Sequence, residues 1–204
     1  MARSGEATRE RILDATEALV FEHGFAAASI DKVLEQTGLT KGAFFYHFKS
    51  KAELGRALVE RYALRDRQLL EETMARAEKL SDDPLQQILI FVGLLREPLE
   101  RLVEPSPGCL FASYAYQPLA FDDAIAALAA DTMRAWRGRL EAKFARALAQ
   151  HPAQGAIEPG SLADHLLAII EGSYVLSKVL ADAGLPARQL AHYRRYVEAL
   201  FQGG

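Results

Sequence analysis

The balance between helix-favouring and β-branched residues constrains this chain more than any other feature. Alanine (35) and leucine (29) fill 64 of the 204 positions, whereas valine, isoleucine and threonine together fill only 22. Alanine and leucine lose little entropy in a helix, but β-branched side chains lose χ1 freedom there. Asparagine is absent, so no Asn-Gly hairpin turn exists. The composition predicts an all-α fold and argues against β folds and parallel α/β sheets, which need Val- and Ile-rich runs.

Cysteine, histidine and charge content narrow the class of protein further. The single cysteine, Cys109, excludes an intramolecular disulfide and a cysteine-based zinc site, and the five histidines lack metal-ligand spacing. The first residues are charged rather than apolar, and the longest uncharged run, residues 105–121, contains three prolines. No nucleophile elbow, Walker loop or dinucleotide-binding glycine motif occurs. We expect a soluble, cytoplasmic protein that is not an enzyme and has no metal, cofactor or membrane span.

Two short helices separated by a glycine-containing turn follow the first helix. Apolar residues at three- and four-residue steps predict that first helix over about residues 6–23. Ser29 is a plausible N-cap for a second helix that ends at Gly38, and Thr40 for a third over residues 41–47. A helix, a turn of about four residues and another short helix form a helix-turn-helix.

Positive charge is concentrated around the third helix. Residues 1–65 hold ten Lys or Arg and nine Asp or Glu, a net charge of +1, whereas residues 66–204 hold 14 and 18, a net charge of −4. Residues 36–52 contain Lys41, Lys49, Lys51 and His47 and no acidic residue. This segment is the part of the chain best suited to a polyanion.

Further helices follow. Ser50 and Glu53 have the spacing of a capping box and open a helix that can run to about residue 80, and Asp83 and Pro84 begin the next one. Ser161 and Asp164 have similar spacing. The remaining helices are predicted at residues 84–103, 109–116, 122–150, 161–183 and 186–201, and Pro98 is expected to kink or end the first of these.

Several stretches resemble the DNA-binding region of the TetR-type (tetracycline-repressor) family. They are residues 8–19, Gly24-Phe25 and residues 40–54, the last reading TKGAFFYHFKSKAEL, and together they cover about a quarter of the chain. The resemblance implies a helix-turn-helix DNA-binding domain at residues 6–66 and a larger helical ligand-binding and dimerisation domain at residues 67–204. It also implies a homodimer that binds a palindromic operator on double-stranded DNA.

The candidate DNA contacts come from the helix-turn-helix. Gly42 and Ala43 leave little side-chain bulk, so DNA can approach the third helix closely, and Ala43 suits a thymine methyl group. By resemblance, Phe44 and Phe48 pack inward, and Phe45 replaces a more usual tyrosine. The full predicted set is Ser29, Thr40, Lys41, Gly42, Ala43, Tyr46, His47 and Lys51.

The second half is expected to dimerise and to bind an effector. The last two long helices carry many apolar residues, which by the resemblance pair with their copies across a twofold axis; ordinary packing in the core of a monomer is the alternative. These residues are Leu166, Leu167, Ile170, Tyr174, Leu176, Val179, Leu180, Tyr193, Tyr196, Val197, Leu200 and Phe201. A pocket for a small apolar or aromatic effector is predicted from Phe91, Leu95, Phe111, Tyr114, Met133 and Trp136. Effector binding would shift the long fourth helix and release DNA.

Two alternative modes of regulation remain open. Cys109 lies at the N-terminus of a predicted helix, whose dipole would favour thiolate, so the repressor could instead sense electrophiles or oxidants. The protein could also be an activator of the same fold, because the sign of regulation depends on where the operator lies.

Overall fold

A computed structural model describes residues 2–115, 123–153 and 155–201. Within these ranges the chain forms nine α-helices and no β-strand, which confirms the predicted all-α fold. The helices are α1 (Ala2–His23), α2 (Ile30–Thr37), α3 (Lys41–His47), α4 (Lys51–Leu80), α5 (Pro84–Leu99), α6 (Leu110–Ala115), α7 (Asp123–Gln150), α8 (Pro159–Leu180) and α9 (Leu185–Phe201).

Local capping chemistry sets several of these helix ends. Asp83 caps α5, because its Oδ1 accepts hydrogen bonds from the backbone N–H groups of Leu85 at 2.7 Å and Gln86 at 3.1 Å. Gly38 ends α2 in the left-handed conformation at φ 66° and donates its N–H to Leu34 O at 2.8 Å. Both ends agree with the predictions from the sequence.

Two predicted capping boxes and several predicted helix ends differ from the structure. Ser50 Oγ accepts from Glu53 N–H at 3.1 Å as expected, but Glu53 Oε2 accepts from Lys49 N–H at 2.7 Å rather than from Ser50. The box at residues 161–164 is wrong, because α8 begins at Pro159 and the Asp164 carboxylate accepts from Arg137 Nε at 2.7 Å. Helix α5 ends at residue 99, directly after Pro98, rather than at residue 103, and α8 ends at residue 180 rather than at residue 183.

The first of two compact units comprises Met1–Arg65 and Cys109–Ala130. Its core holds Ile12, Leu13, Val33, Phe44 and Leu58, all with no exposed surface. The predicted domain boundary at residue 66 stays a prediction, since these units are groups of contacts and the first also takes in residues 109–130.

The second unit comprises Asp66–Gly108 and Asp131–Gly204. Helix α9 packs against α5 and α8, and the Tyr193 hydroxyl donates to Leu162 O at 2.8 Å. Lys143 is 1 % exposed and donates from Nζ to Glu78 Oε1 at 2.7 Å and to Gln87 Oε1 at 2.5 Å. A buried ammonium is tolerated because these acceptors replace its water, and the Lys143 bond holds the pKa of Glu78 below its ordinary value.

The apolar residues of α8 and α9 divide between core and surface. Leu166, Tyr193, Val197 and Phe201 were expected on a dimer surface but are buried in the core of their own unit. The exposed large apolar residues of the two helices are Val175, Leu176, Val179, Leu180 and Tyr196. No helix in the described residues is long and apolar enough to span a bilayer.

Candidate nucleic-acid interface

Helices α2 and α3 form the predicted helix-turn-helix, and α1 holds it in place. Arg11 Nη2 of α1 donates to Thr37 O at the end of α2, at 2.8 Å. This bond satisfies one of the carbonyls that a helix end leaves without a partner. The turn between α2 and α3 contains Gly38, Leu39 and Thr40.

Helix α3 has an anchored face and an exposed face. Phe44 and Phe48 are at most 1 % exposed, which confirms that they pack inward. Tyr46 is 77 % exposed, and Phe45 is 41 % exposed and lacks the hydroxyl of a tyrosine. The half-buried His47 ring meets the Tyr46 ring edge-on at 5.0 Å between centroids. The anchored face fixes the helix, so the exposed face is available to a partner.

Two predicted contact residues, Ser29 and Thr40, are helix N-caps. Ser29 Oγ accepts from Lys32 N–H at 3.3 Å, and Thr40 Oγ1 accepts from Ala43 N–H at 3.2 Å. A hydroxyl that accepts one hydrogen bond still has its own proton to donate. Each side chain can therefore cap its helix and donate to a phosphate oxygen at the same time.

Gly42 leaves open space at the start of α3. A Cβ built at this position would meet nothing closer than Thr40 Oγ1 at 4.0 Å, and the backbone is in an ordinary helical conformation. Neither packing nor backbone strain therefore requires glycine here. Because Gly42 has no side chain and the neighbouring Ala43 is small and half-buried, a partner can approach the backbone of the first turn of α3 closely.

The three lysines of this region have different partners. Lys41 Nζ lies 3.2 Å from Asp31 Oδ1, and Lys49 Nζ donates to Phe45 O at 2.8 Å. Lys51 Nζ donates to Ala26 O at 2.9 Å and lies 5.1 Å from the Phe25 ring centroid. Partial burial lowers the pKa of Lys51. Lys51 thus holds the loop between α1 and α2 against α4, a structural role that spacing alone did not predict.

A charged cluster that sequence reasoning missed ties α4 to α1. Arg61 donates to Glu10 at 2.9 Å, to Asp14 at 2.7 Å and to Glu17 at 2.6 Å, and Arg65 also pairs with Glu17. Burial alone would lower the pKa of Arg61, but the carboxylates outweigh it and raise the pKa. The spacing of the three acidic residues places them on one face of α1, and this spacing is the sequence feature that could have indicated the cluster.

The predicted effector-pocket residues are divided between the two compact units, and the pocket that they were expected to line stays a prediction. Phe91 and Trp136 are buried in the second unit with ring centroids 6.0 Å apart, and Leu95 and Met133 are half-buried there. Phe111 belongs to the first unit, where its ring meets Tyr62 edge-on at 5.0 Å. The Tyr114 side chain lies outside the described residues.

Polar features near these residues add detail that the sequence did not indicate. Trp136 Nε1 donates to Asp66 Oδ2 at 2.5 Å, and burial raises the pKa of Asp66 although this bond opposes the shift. A separate groove of about 440 Å³ is lined by residues of α4, α5 and α9, among them Arg76, Ile90 and Arg194. None of the six predicted pocket residues lines it.

Cys109 is 7 % exposed and lies immediately before α6, which begins at Leu110. In the part of the chain that the structure describes, no group of three or more His, Cys, Asp or Glu side chains is placed to hold a metal ion.

Comparisons with known proteins match this geometry to a family. Residues 12–58 match the family model described as bacterial regulatory proteins, tetR family. The transcriptional regulator AcuR of Cereibacter sphaeroides is 25 % identical over 158 residues, which are 78 % of this chain and 70 % of that protein. The transcriptional repressor NemR of Escherichia coli is 32 % identical over 71 residues, 35 % of this chain and 36 % of NemR.

Solved structures agree on the fold. A TetR-family regulator from Agrobacterium tumefaciens superimposes with a TM-score of 0.77 at 21 % identity, covering 97 % of this chain and 99 % of that one. The reduced form of E. coli NemR gives a TM-score of 0.73 at 21 % identity, covering 93 % and 96 %. Together, the family-model match and the curated relatives support a TetR-type transcriptional regulator.

Proposed function

We propose that this protein is a ligand-responsive repressor that binds a palindromic operator as a homodimer and is released by a small apolar or aromatic effector. The observation that carries the proposal is the division of α3 into an anchored face, with Phe44 and Phe48 buried, and an open face around Gly42 and Tyr46. An α-helix fits the major groove of B-DNA, and its N-terminal residues are the ones that reach base edges.

Each predicted contact has a specific part in this proposal. Thr40, Lys41 and Ala43 lie at the end of α3 that would enter the groove, and Gly42 allows the backbone to approach. Ser29, Tyr46 and His47 suit phosphates and would fix the register of the helix on the duplex. Lys51 would act mainly through its bond to Ala26 O, which positions the loop that precedes Ser29. With few groups able to make bidentate base contacts, DNA shape would supply part of the specificity.

The homodimer is supported by an exposed apolar face on α8. Leu176 is 49 % exposed, Val179 75 % and Leu180 61 %, and Tyr196 of α9 is 42 % exposed. Such side chains grouped on one face indicate a contact with another protein surface. A twofold axis through this face would pair two recognition helices, which the reading of a palindrome requires.

The effector would act through a shift between two states. Helix α4 runs without interruption from Lys51, at its DNA-binding end, to Leu80. An effector that binds the second unit more tightly in a state incompatible with DNA would shift the population towards that state. The buried Phe91 and Trp136 support an apolar or aromatic effector, and the Asp66 carboxylate beside Trp136 would favour one that carries a hydrogen-bond donor.

Selection of duplexes from a random-sequence library tests the proposal. We expect the protein to enrich a palindromic sequence. We expect Lys41→Ala and Tyr46→Ala each to weaken binding to it by about 5- to 150-fold, which corresponds to about 1–3 kcal/mol for one lost contact. Lys79→Ala removes an exposed lysine from the far end of α4 and is the matched control. Enrichment of no sequence, or equal binding by all three variants, would contradict DNA recognition by α3.

Redox or electrophile sensing through Cys109 is a second candidate mode of regulation. The described relative NemR has a solved reduced form, and in this chain the thiol lies directly before a helix. Burial of Cys109 restricts access to small reagents. Release of DNA by an electrophile in the wild-type protein but not in Cys109→Ser would support this mode, and equal release from both would exclude it.

A further inference from the structure

The recognition lysine at the start of α3 is held by an acidic residue of α2. Lys41 Nζ and Asp31 Oδ1 are 3.2 Å apart, and both side chains are more than two-thirds exposed. Lys49 and Lys51 instead donate to backbone carbonyls, which are neutral. Of these three lysines, Lys41 alone has its charge compensated by a carboxylate.

We propose that Asp31 restrains DNA binding by occupying the ammonium group of Lys41, so that Lys41 must exchange this carboxylate for a phosphate when the protein meets a duplex. The proposal rests on the proposed function, because it concerns the same DNA-binding surface. Asp31 would thereby set how strongly the protein binds DNA of any sequence, and would keep occupancy of random DNA low.

The physical basis is the counterion equilibrium of DNA. Each phosphate that a protein cation neutralises releases condensed counterions and contributes about 0.9 to the slope of log K against log salt. One additional contact therefore strengthens binding by about 8-fold at 0.1 M salt relative to 1 M, because a slope of about 0.9 applies over the one logarithmic unit that separates these concentrations. A carboxylate beside Lys41 removes most of this gain and also repels the phosphate itself.

The ion pair between Lys41 and Asp31 contributes little to the stability of the fold, so either residue can be replaced without unfolding the protein. An ion pair this exposed is screened by water and salt, so its loss does not threaten the fold. Asp31 also lies in the first turn of α2, where a carboxylate favours the helix dipole. Asparagine keeps the size of the side chain, and a thermal melt of each variant measures any loss of α2 stability separately from DNA binding.

The test measures the affinity of Asp31→Asn for a random-sequence duplex by fluorescence anisotropy, between about 0.05 and 0.2 M salt. Glu35→Gln is the matched control, since it removes the same charge from the same exposed surface of α2 without contacting Lys41. Asp31→Asn is also made in a Lys41→Ala background, where the pair no longer exists.

We expect Asp31→Asn to bind random DNA about 8-fold more tightly at 0.1 M salt and to steepen the salt slope by about 0.9. We expect a clearly smaller effect of Glu35→Gln, which removes only direct repulsion of the phosphates, and an equally small effect of Asp31→Asn in the Lys41→Ala background. Equal effects of the two acid replacements, weaker binding by Asp31→Asn, or the same gain without Lys41 would overturn the proposal. Wild-type protein that binds no duplex would refute the proposed function itself.

Discussion

Replacement of Gly42 by alanine should separate the requirements of folding from those of DNA binding. The added methyl group meets open space in the free protein, with Thr40 Oγ1 at 4.0 Å as the nearest atom. Glycine in a helix costs roughly 0.5–1 kcal/mol relative to alanine, so the free energy of unfolding should stay constant or rise by up to that amount. The same methyl group would stand between α3 and the floor of the major groove.

The cost to DNA binding follows from the size of that group. A Cβ extends the helix surface by about 1.5 Å, the length of one carbon–carbon bond, which is enough to break the contacts of neighbouring residues. Losing one well-formed base contact costs about 1–3 kcal/mol, which is about 5- to 150-fold in affinity for the selected operator. Anisotropy titrations give the affinity, and thermal melts give the stability of the same preparations.

Gly138 provides the matched control for this experiment. It lies within α7, and a Cβ there would also meet nothing within 4 Å. Gly138→Ala should therefore raise stability in the same way and leave operator affinity unchanged. The reasoning is refuted if Gly42→Ala binds the operator as tightly as the wild type, or if it loses stability along with affinity.

Two further predictions concern stability. Gly55→Ala would bring a Cβ within 2.9 Å of Phe25 Cε2 and closer still to Cζ, so it should destabilise the protein by about 1–3 kcal/mol in urea unfolding, and an unchanged midpoint would show that Phe25 moves away freely. Because its bond to Lys143 depresses the pKa of Glu78, the stability from this carboxylate is present above its ordinary pKa of 4.5 and is lost as the pH falls through the depressed value. Lys143→Met should flatten this acid dependence in thermal melts, and an unaltered pH profile would contradict the assigned cause.

Helix ends that depend on contacts between neighbouring residues could be predicted from the sequence. The N-caps at Ser29, Thr40 and Asp83 and the left-handed glycine at residue 38 depend on atoms within a few residues of each other, so pattern alone located these helix ends. The inward packing of Phe44 was likewise predicted, through the resemblance of its segment to a known family.

Contacts between residues far apart in the chain could not be predicted in this way. Asp164 was predicted to be part of a capping box, but its carboxylate accepts a hydrogen bond from Arg137, which is 27 residues away in the chain. Lys51 was predicted to contact a phosphate, and its hydrogen bond to Ala26 O, 25 residues away in the chain, was not predicted. The pairing of Lys41 with Asp31 also depends on how α2 and α3 pack. The tertiary structure determines which of these side chains pair, and the spacing of residues along the chain does not indicate it.

The stoichiometry of the protein–DNA complex tests the central claim most directly. Native mass spectrometry of the protein on its selected operator, with a hydroxyl-radical footprint of the same complex, should reveal two chains and two protected half-sites with centres about 34–36 Å apart. One chain per duplex, or a single protected patch without dyad symmetry, would contradict recognition by paired α3 helices.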